Sequence, residues 1–148
     1  MKKRFALATI LFCLVFAMAV PAGATSQVVQ KTETITTVYG DFEVEETLTV
    51  YSDLRSSTKS ASKTTTTKYS GKVISEVTLN ATFGYDGQTS WVVSASGSHT
   101  TYDGWTYSGE KITKSGGTAS LTATLSKTGY KSMTVSISIT CTASGSIS

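Results

Sequence analysis

Apolar residues at every second position are the feature that most constrains the fold of this chain. One such row contains Val73, Ser75, Val77, Leu79, Ala81, Phe83 and Tyr85, and another runs from Met133 through Val135, Ile137 and Ile139 to Cys141. Successive side chains of a β-strand point to opposite faces, so this spacing predicts strands with one buried face. No stretch outside residues 5–20 has the 3.6-residue spacing of a helix. The pattern therefore predicts an all-β protein.

Glycine-containing pairs separate the predicted strands. Gly40-Asp41 joins a strand at Val29–Tyr39 to one that begins at Phe42, and Asp86-Gly87 leads into a strand predicted to place Trp91, Val93 and Ala95 inward. Further turns are expected at Gly116-Gly117 and around Gly129. Glycine and aspartate tolerate the positive φ angles of tight hairpins. About seven to nine antiparallel strands result, and a domain of this size favours an immunoglobulin-like β-sandwich.

The first 24 residues have the order of a secretory signal peptide. Lys2, Lys3 and Arg4 precede an apolar run at residues 5–20, and Ala22-Gly23-Ala24 has the small residues of a cleavage site. The apolar run is shorter than the roughly 20 residues preferred for crossing a bilayer. We therefore expect cleavage after Ala24 and a single secreted domain at residues 25–148, with no transmembrane segment in the mature chain.

Charge and cysteine content narrow the possible partners of the mature domain. The formal net charge of +3 comes from Lys2, Lys3 and Arg4, so the mature chain is neutral and has no global field to attract nucleic acid. Cys13 lies in the predicted leader, which leaves Cys141 as the only mature thiol. No intramolecular disulfide is then possible, and the alternating row that ends at Cys141 predicts a buried free thiol.

Residues that could support catalysis or metal binding are few. His99 is the only histidine, and no serine lies in a glycine-flanked nucleophile turn. Asp86 and Asp103 stand alone in their turns, without the clustered acidic residues of a calcium loop. The sequence thus predicts no catalytic residue, no metal and no cofactor.

An aromatic cluster is the strongest candidate for a ligand-binding surface. The tripeptide Tyr-Asp-Gly occurs twice in it, and aromatic faces beside polar groups suit a sugar or a protein hot spot. We predict Trp91 in the core and Trp105 exposed after its glycine turn. Ordinary packing of the tyrosines is the alternative. The candidate residues are Tyr85, Asp86, Tyr102, Asp103, Trp105 and Tyr107.

A second candidate surface is a basic Ser/Thr-rich tract at residues 54–72, predicted to be a loop or an edge segment. It contains five cations and no acidic residue, which suits an anionic polymer. The alternative is that its lysines protect a sheet edge from aggregation. The cations are Arg55, Lys59, Lys63, Lys68 and Lys72.

Together these patterns favour a secreted, non-catalytic bacterial binding module. Its expected partner is a surface glycan or another protein, and not nucleic acid. A pore-forming or membrane-active toxin is the main alternative, because Ser/Thr-rich alternating strands have the composition of amphipathic membrane hairpins. A small secreted hydrolase is a lesser alternative.

Overall fold

The computed structural model describes residues 28–52 and 57–148, which form two antiparallel sheets. The predicted leader and Arg55 lie outside the described residues. The large sheet has the strand order β1-β2-β3-β4-β5 and the small sheet the order β6-β7-β8. The strands are β1 (Val28–Tyr39), β2 (Phe42–Ser52), β3 (Thr58–Tyr69), β4 (Lys72–Tyr85), β5 (Ser90–Thr101), β6 (Thr106–Ser115), β7 (Thr118–Ser126) and β8 (Met133–Thr140).

The predicted all-β fold and strand number are confirmed, with eight strands in the described part of the chain. The turns at Gly40, Gly87, Gly116 and Gly129 lie where the sequence predicts them, and each of these glycines has positive φ. The immunoglobulin-like arrangement is not confirmed. An immunoglobulin sandwich interleaves its strands between two sheets. Here each strand pairs with the strand next to it in sequence, except that β5 and β6 belong to different sheets.

The core lies between the two sheets and is built from their alternating inward rows. Val77, Leu79 and Phe83 of β4 are fully buried, as are Leu121 of β7 and Ile137 of β8. Full burial of each side chain of this size contributes roughly 1.5–3 kcal/mol. Cys141 continues the β8 row and is a buried free thiol, as predicted.

The prediction that Trp91 and Val93 point inward is wrong. Thr82 pairs with Ser94 but Phe83 pairs with Val92, so Val93 is an extra residue in β5. A bulge of this kind moves the side chains on one side of it to the opposite face of the sheet from the one that simple alternation predicts. Trp91 and Val93 are therefore 45% and 51% exposed, whereas the side chain of Val92 packs against the core.

The prediction that Trp105 is exposed is also wrong. Asp103 and Gly104 both have positive φ, and this tight turn carries the chain from the large sheet to the small one. The Trp105 side chain is only 4% exposed and closes one end of the core. Its ring centroid lies 5.8–6.0 Å from those of Phe42, Tyr69 and Tyr130.

The basic Ser/Thr-rich tract is neither a loop nor an edge. From Thr58 to Tyr69 it forms β3, the central strand of the large sheet, with β2 on one side and β4 on the other. Threonine favours strands because its branched side chain fits a pleated surface. Ala61, Thr65 and Thr67 are its buried inward residues.

The two sheets differ in width, and this leaves part of the large sheet uncovered. Among the described elements, β8 lies against β3 and β4, and the inward residues Leu48 and Val50 of β2 are buried in the core. Ile35, on the inward face of β1, is 47% exposed. The inward face of β1 consequently extends beyond the small sheet, and this overhang borders an open groove of about 490 Å³.

Candidate functional site

The structure does not bring the predicted aromatic cluster together. Tyr85 and Asp86 lie where β4 ends, and Tyr102 and Asp103 lie beyond the other end of β5. The 12 residues of β5 separate the two groups, a distance of roughly 40 Å at the rise of an extended strand. The six candidates therefore do not form one surface, which corrects the cluster expected from their closeness in sequence.

Asp86 has a structural role in the turn between β4 and β5. Its Oδ1 accepts hydrogen bonds from the backbone N–H groups of Gln88 at 2.8 Å and Thr89 at 2.7 Å. These bonds, with Thr89 the larger contributor, lower the pKa of the Asp86 carboxyl because they stabilise its charged form.

The three tyrosines of the predicted cluster have separate local partners. The Tyr85 ring lies beneath the Lys59 ammonium, 5.5 Å from its centroid. The Tyr102 hydroxyl donates to Glu76 at 3.1 Å, which raises the tyrosine pKa. Tyr107 donates to Glu110 at 2.7 Å, and burial followed by this bond raises its pKa.

His99 is a stacking partner for an aromatic ring. Its ring lies 3.8 Å from that of Tyr107, with 16° between the planes. Within residues 28–52 and 57–148, no three histidine, cysteine, aspartate or glutamate side chains are grouped so that they could hold a metal ion.

Three lysines of the predicted basic patch have local partners, and the patch does not form one surface. Lys59 donates to the Gly145 carbonyl at 2.7 Å, and Lys63 pairs with Glu46 at 3.1 Å. Lys68 pairs with Glu43 at 2.8 Å, and this hydrogen bond is the main reason that its pKa is raised. Lys72 is exposed at the start of β4. The side chains thus divide between two faces of the large sheet.

The face of the large sheet that points away from the small sheet, here called the outer face, carries an array of hydroxyl groups. One row crosses all five strands through cross-strand partners: Thr34, Thr47, Thr64, Thr78 and Ser98. The hydroxyls of Thr34 and Thr47 lie 3.1 Å apart, and those of Thr64 and Thr78 lie 2.8 Å apart. The outer face is therefore polar and ordered by hydrogen bonds between strands.

Trp91 lies on this outer face at one end of the hydroxyl array. Its cross-strand partner is Gly84, and a Cβ atom at Gly84 would overlap the ring atoms Cε2, Cζ2 and Nε1 of the indole. A glycine in a strand permits such close approach. The indole thus covers the β4 backbone with one face and leaves the other face open, consistent with its 45% exposure.

A shallow depression of about 300 Å³ lies on the outer face, and Trp91 lies outside its lining, one cross-strand pair further along β4 and β5. Thr82 and Ser94 form a cross-strand pair in its floor, and β4 and β5 lead from them to Gly84 and Trp91. Most residues that line it are polar, and the full set is Tyr51, Ser60, Ala61, Asn80, Ala81, Thr82, Ser94 and Ser96. We call Trp91 with this depression the platform site.

Sequence reasoning missed the platform site because it assigned Trp91 to the core. One signal was available in the sequence. Gly84 and Trp91 flank the Asp86-Gly87 turn, and a glycine inside an otherwise regular strand row marks a place where another group approaches the backbone. A large aromatic residue across the hairpin is a natural occupant of that space.

Comparison of the chain with protein-family models, curated proteins and solved structures finds no match. Among the described residues, no helix is long and apolar enough to cross a membrane.

Proposed function

We propose that the protein is a secreted, non-catalytic binding module that holds a neutral glycan at the platform site. The observation that carries this proposal is the position of Trp91, whose indole is supported from below by Gly84 and exposed above, beside a polar depression. A flat aromatic surface next to hydrogen-bonding groups matches a sugar ring, which has an apolar face and hydroxyls at its edge.

The polar groups of the depression favour a neutral ligand over a charged one. The serine and threonine hydroxyls each donate and accept a hydrogen bond, and the Asn80 amide does both as well. No ionisable side chain except the Tyr51 phenol is among the residues that line the depression. This set suits the alternating donors and acceptors of a glycan better than a phosphate or a carboxylate.

Export of the protein is part of the same proposal. The basic, apolar and small-residue segments before Thr25 are what support it. A secreted module with a glycan site would act at the cell surface or in the surrounding medium.

Loss of glycan binding in a Trp91→Ala variant is the test. We expect the wild-type protein to be retarded in gels that contain a soluble neutral polysaccharide from a panel of glucans, xylans and mannans. Removing a central aromatic contact costs about 1–3 kcal/mol, so the variant should bind roughly 5- to 150-fold more weakly.

Tyr102→Ala is the matched control for this experiment. Tyr102 is 40% exposed, similar to Trp91, but lies beyond the opposite end of β5. The control should bind as the wild type does. Equal binding by the Trp91→Ala variant and the wild type, or retardation of the wild type by no member of the panel, would contradict the proposal.

A further inference from the structure

The two sheets of this molecule are built from separate halves of the chain. Strands β1–β5 form the large sheet and β6–β8 form the small sheet, so within the described residues the chain crosses between the sheets once. The crossing is the turn Tyr102–Trp105, in which the Trp105 N–H donates to the Tyr102 carbonyl at 3.0 Å. One short connection therefore joins the two sheets in this part of the chain.

This crossing turn has a backbone conformation that costs free energy. Asp103 has a φ of 53° and Gly104 has a φ of 74°. Residues with a Cβ atom are disfavoured at positive φ, although aspartate tolerates it better than most. Straightening the turn into an extended segment would release both residues from this conformation. Strand β5 would then continue into β6.

The interface between the two sheets is apolar, so neither sheet is stable without the other. Leu79 and Phe83 of the large sheet and Leu121 and Ile137 of the small sheet are fully buried in one core. Separating the sheets of a single molecule would expose these side chains to water, at a cost that increases with the apolar area. A second copy that has opened in the same way presents the same surface. Its small sheet can therefore take the vacated place with the same contacts.

Polar contacts between the halves would re-form in the same way. The Gly87 N–H donates to the Ala143 carbonyl at 3.0 Å, and the Val92 N–H donates to the Gly116 carbonyl at 3.1 Å. Neither bond involves the crossing turn. Because the exchanged form keeps the contacts of the monomer, the balance between the two forms depends on the turn and on the entropy of association.

We propose that two copies of this chain exchange their small sheets by opening the turn Tyr102–Trp105, which gives a domain-swapped dimer in equilibrium with the monomer. Short connections under strain favour this kind of exchange. The partner is a second copy because its small sheet has the surface that already fits the large sheet. This inference does not depend on the proposed function, since exchange leaves Trp91 and the outer face unchanged.

Two glycine variants make the matched comparison. Gly104 lies in the crossing turn and Gly129 lies between β7 and β8. Both have positive φ, and a Cβ atom added at either position meets no atom within 4 Å, so alanine should strain the two turns similarly. Gly104→Ala should raise the dimer association constant at least about tenfold, because the swapped dimer contains two opened turns and relieves the strain twice. Gly129→Ala should leave this constant nearly unchanged, because exchange does not open that turn.

Sedimentation equilibrium measures the association constant. The chain from residue 25 onward is unfolded in urea and refolded at millimolar concentration, which gives the copies the opportunity to exchange. A reducing agent is present throughout, so that Cys141 cannot form a disulfide-linked dimer.

Isotope-filtered NMR shows whether the dimer is formed by exchange. Labelled and unlabelled chains are refolded together, and only contacts between different chains are recorded. The Leu121 side chain packs across the sheets against Gly97, so closely that a Cβ atom at Gly97 would overlap its Cδ1 atom. We expect a nuclear Overhauser effect between the Leu121 methyl group of one chain and the Gly97 α protons of the other. This measurement on the wild type decides the question even if Gly104→Ala does not fold.

Three results would overturn this inference. They are a wild-type protein that remains monomeric after refolding at millimolar concentration, an equal increase of dimer in the two glycine variants, and a dimer in which the contact between Gly97 and Leu121 occurs only within one chain. The third result would show that the copies associate through another surface.

Discussion

A Trp105→Ala variant should lose about 3–5 kcal/mol of unfolding free energy, the cost expected for truncating a buried aromatic residue. Trp105 is 4% exposed and contacts the rings of Phe42, Tyr69 and Tyr130 at one end of the core. Alanine would leave a cavity that these three rings cannot fill without leaving the positions set by β2, by β3 and by the turn before β8. Urea-induced unfolding followed by circular dichroism measures this loss.

Trp91→Ala provides the control for that measurement. Its indole is 45% exposed on the outer face, so its removal should change stability by about 1 kcal/mol or less. We therefore expect the Trp105→Ala variant to lose much more unfolding free energy than the Trp91→Ala variant. Similar losses in both variants, or a larger loss at Trp91, would show that the core has been assigned wrongly.

The Cys141 thiol should react with a thiol reagent at least about 10³-fold more slowly in the folded protein than in the unfolded one. The side chain is 2% exposed, so the reagent reaches it only when the protein opens. Burial also raises the pKa of this thiol, although Lys59 lowers it to a smaller extent. A raised pKa decreases the fraction of reactive thiolate at neutral pH.

Mass spectrometry after timed exposure to iodoacetamide, with and without 8 M urea, gives the two rates. Cys13 lies within the first 24 residues, so the experiment uses residues 25–148, where Cys141 is the only thiol. Labelling of the folded protein within seconds, or a disulfide-linked dimer on a non-reducing gel, would be incompatible with a buried thiol.

Much of the fold could be predicted because burial on one face of a strand produces a period of two in the sequence. This period identified β4 and β8 and the burial of Cys141, and the pairs Gly40-Asp41 and Asp86-Gly87 identified two hairpins. Both kinds of signal are local. Each depends on a few neighbouring residues and not on how the sheets meet.

The errors arose where local signals are insufficient. One extra residue in β5, Val93, places Trp91 on the outer face of the sheet and not in the core. Alternation alone does not show where such a residue lies. In β3, threonine occupies both buried and half-buried positions, so no apolar row distinguishes a central strand from a loop. Trp105 is buried because its turn joins the two sheets, which is a property of the tertiary structure.

Local sequence signals were also insufficient to predict the candidate site. Tyr85 and Tyr102 are close in sequence, but an extended strand separates them in space. Trp91 and Gly84 could be paired from the hairpin, yet the alignment of Tyr51 with Ser60 and Thr82 in the depression depends on how β2 and β3 align with β4.

Which tryptophan is exposed decides both the composition of the core and the existence of the platform site. Acrylamide quenching of fluorescence in single-tryptophan variants measures this directly. In Trp105→Phe, the remaining Trp91 should be quenched strongly and emit at a longer wavelength. In Trp91→Phe, the remaining Trp105 should be quenched weakly and emit at a shorter wavelength. Strong quenching of Trp105 and weak quenching of Trp91 would contradict the platform site and the core described here.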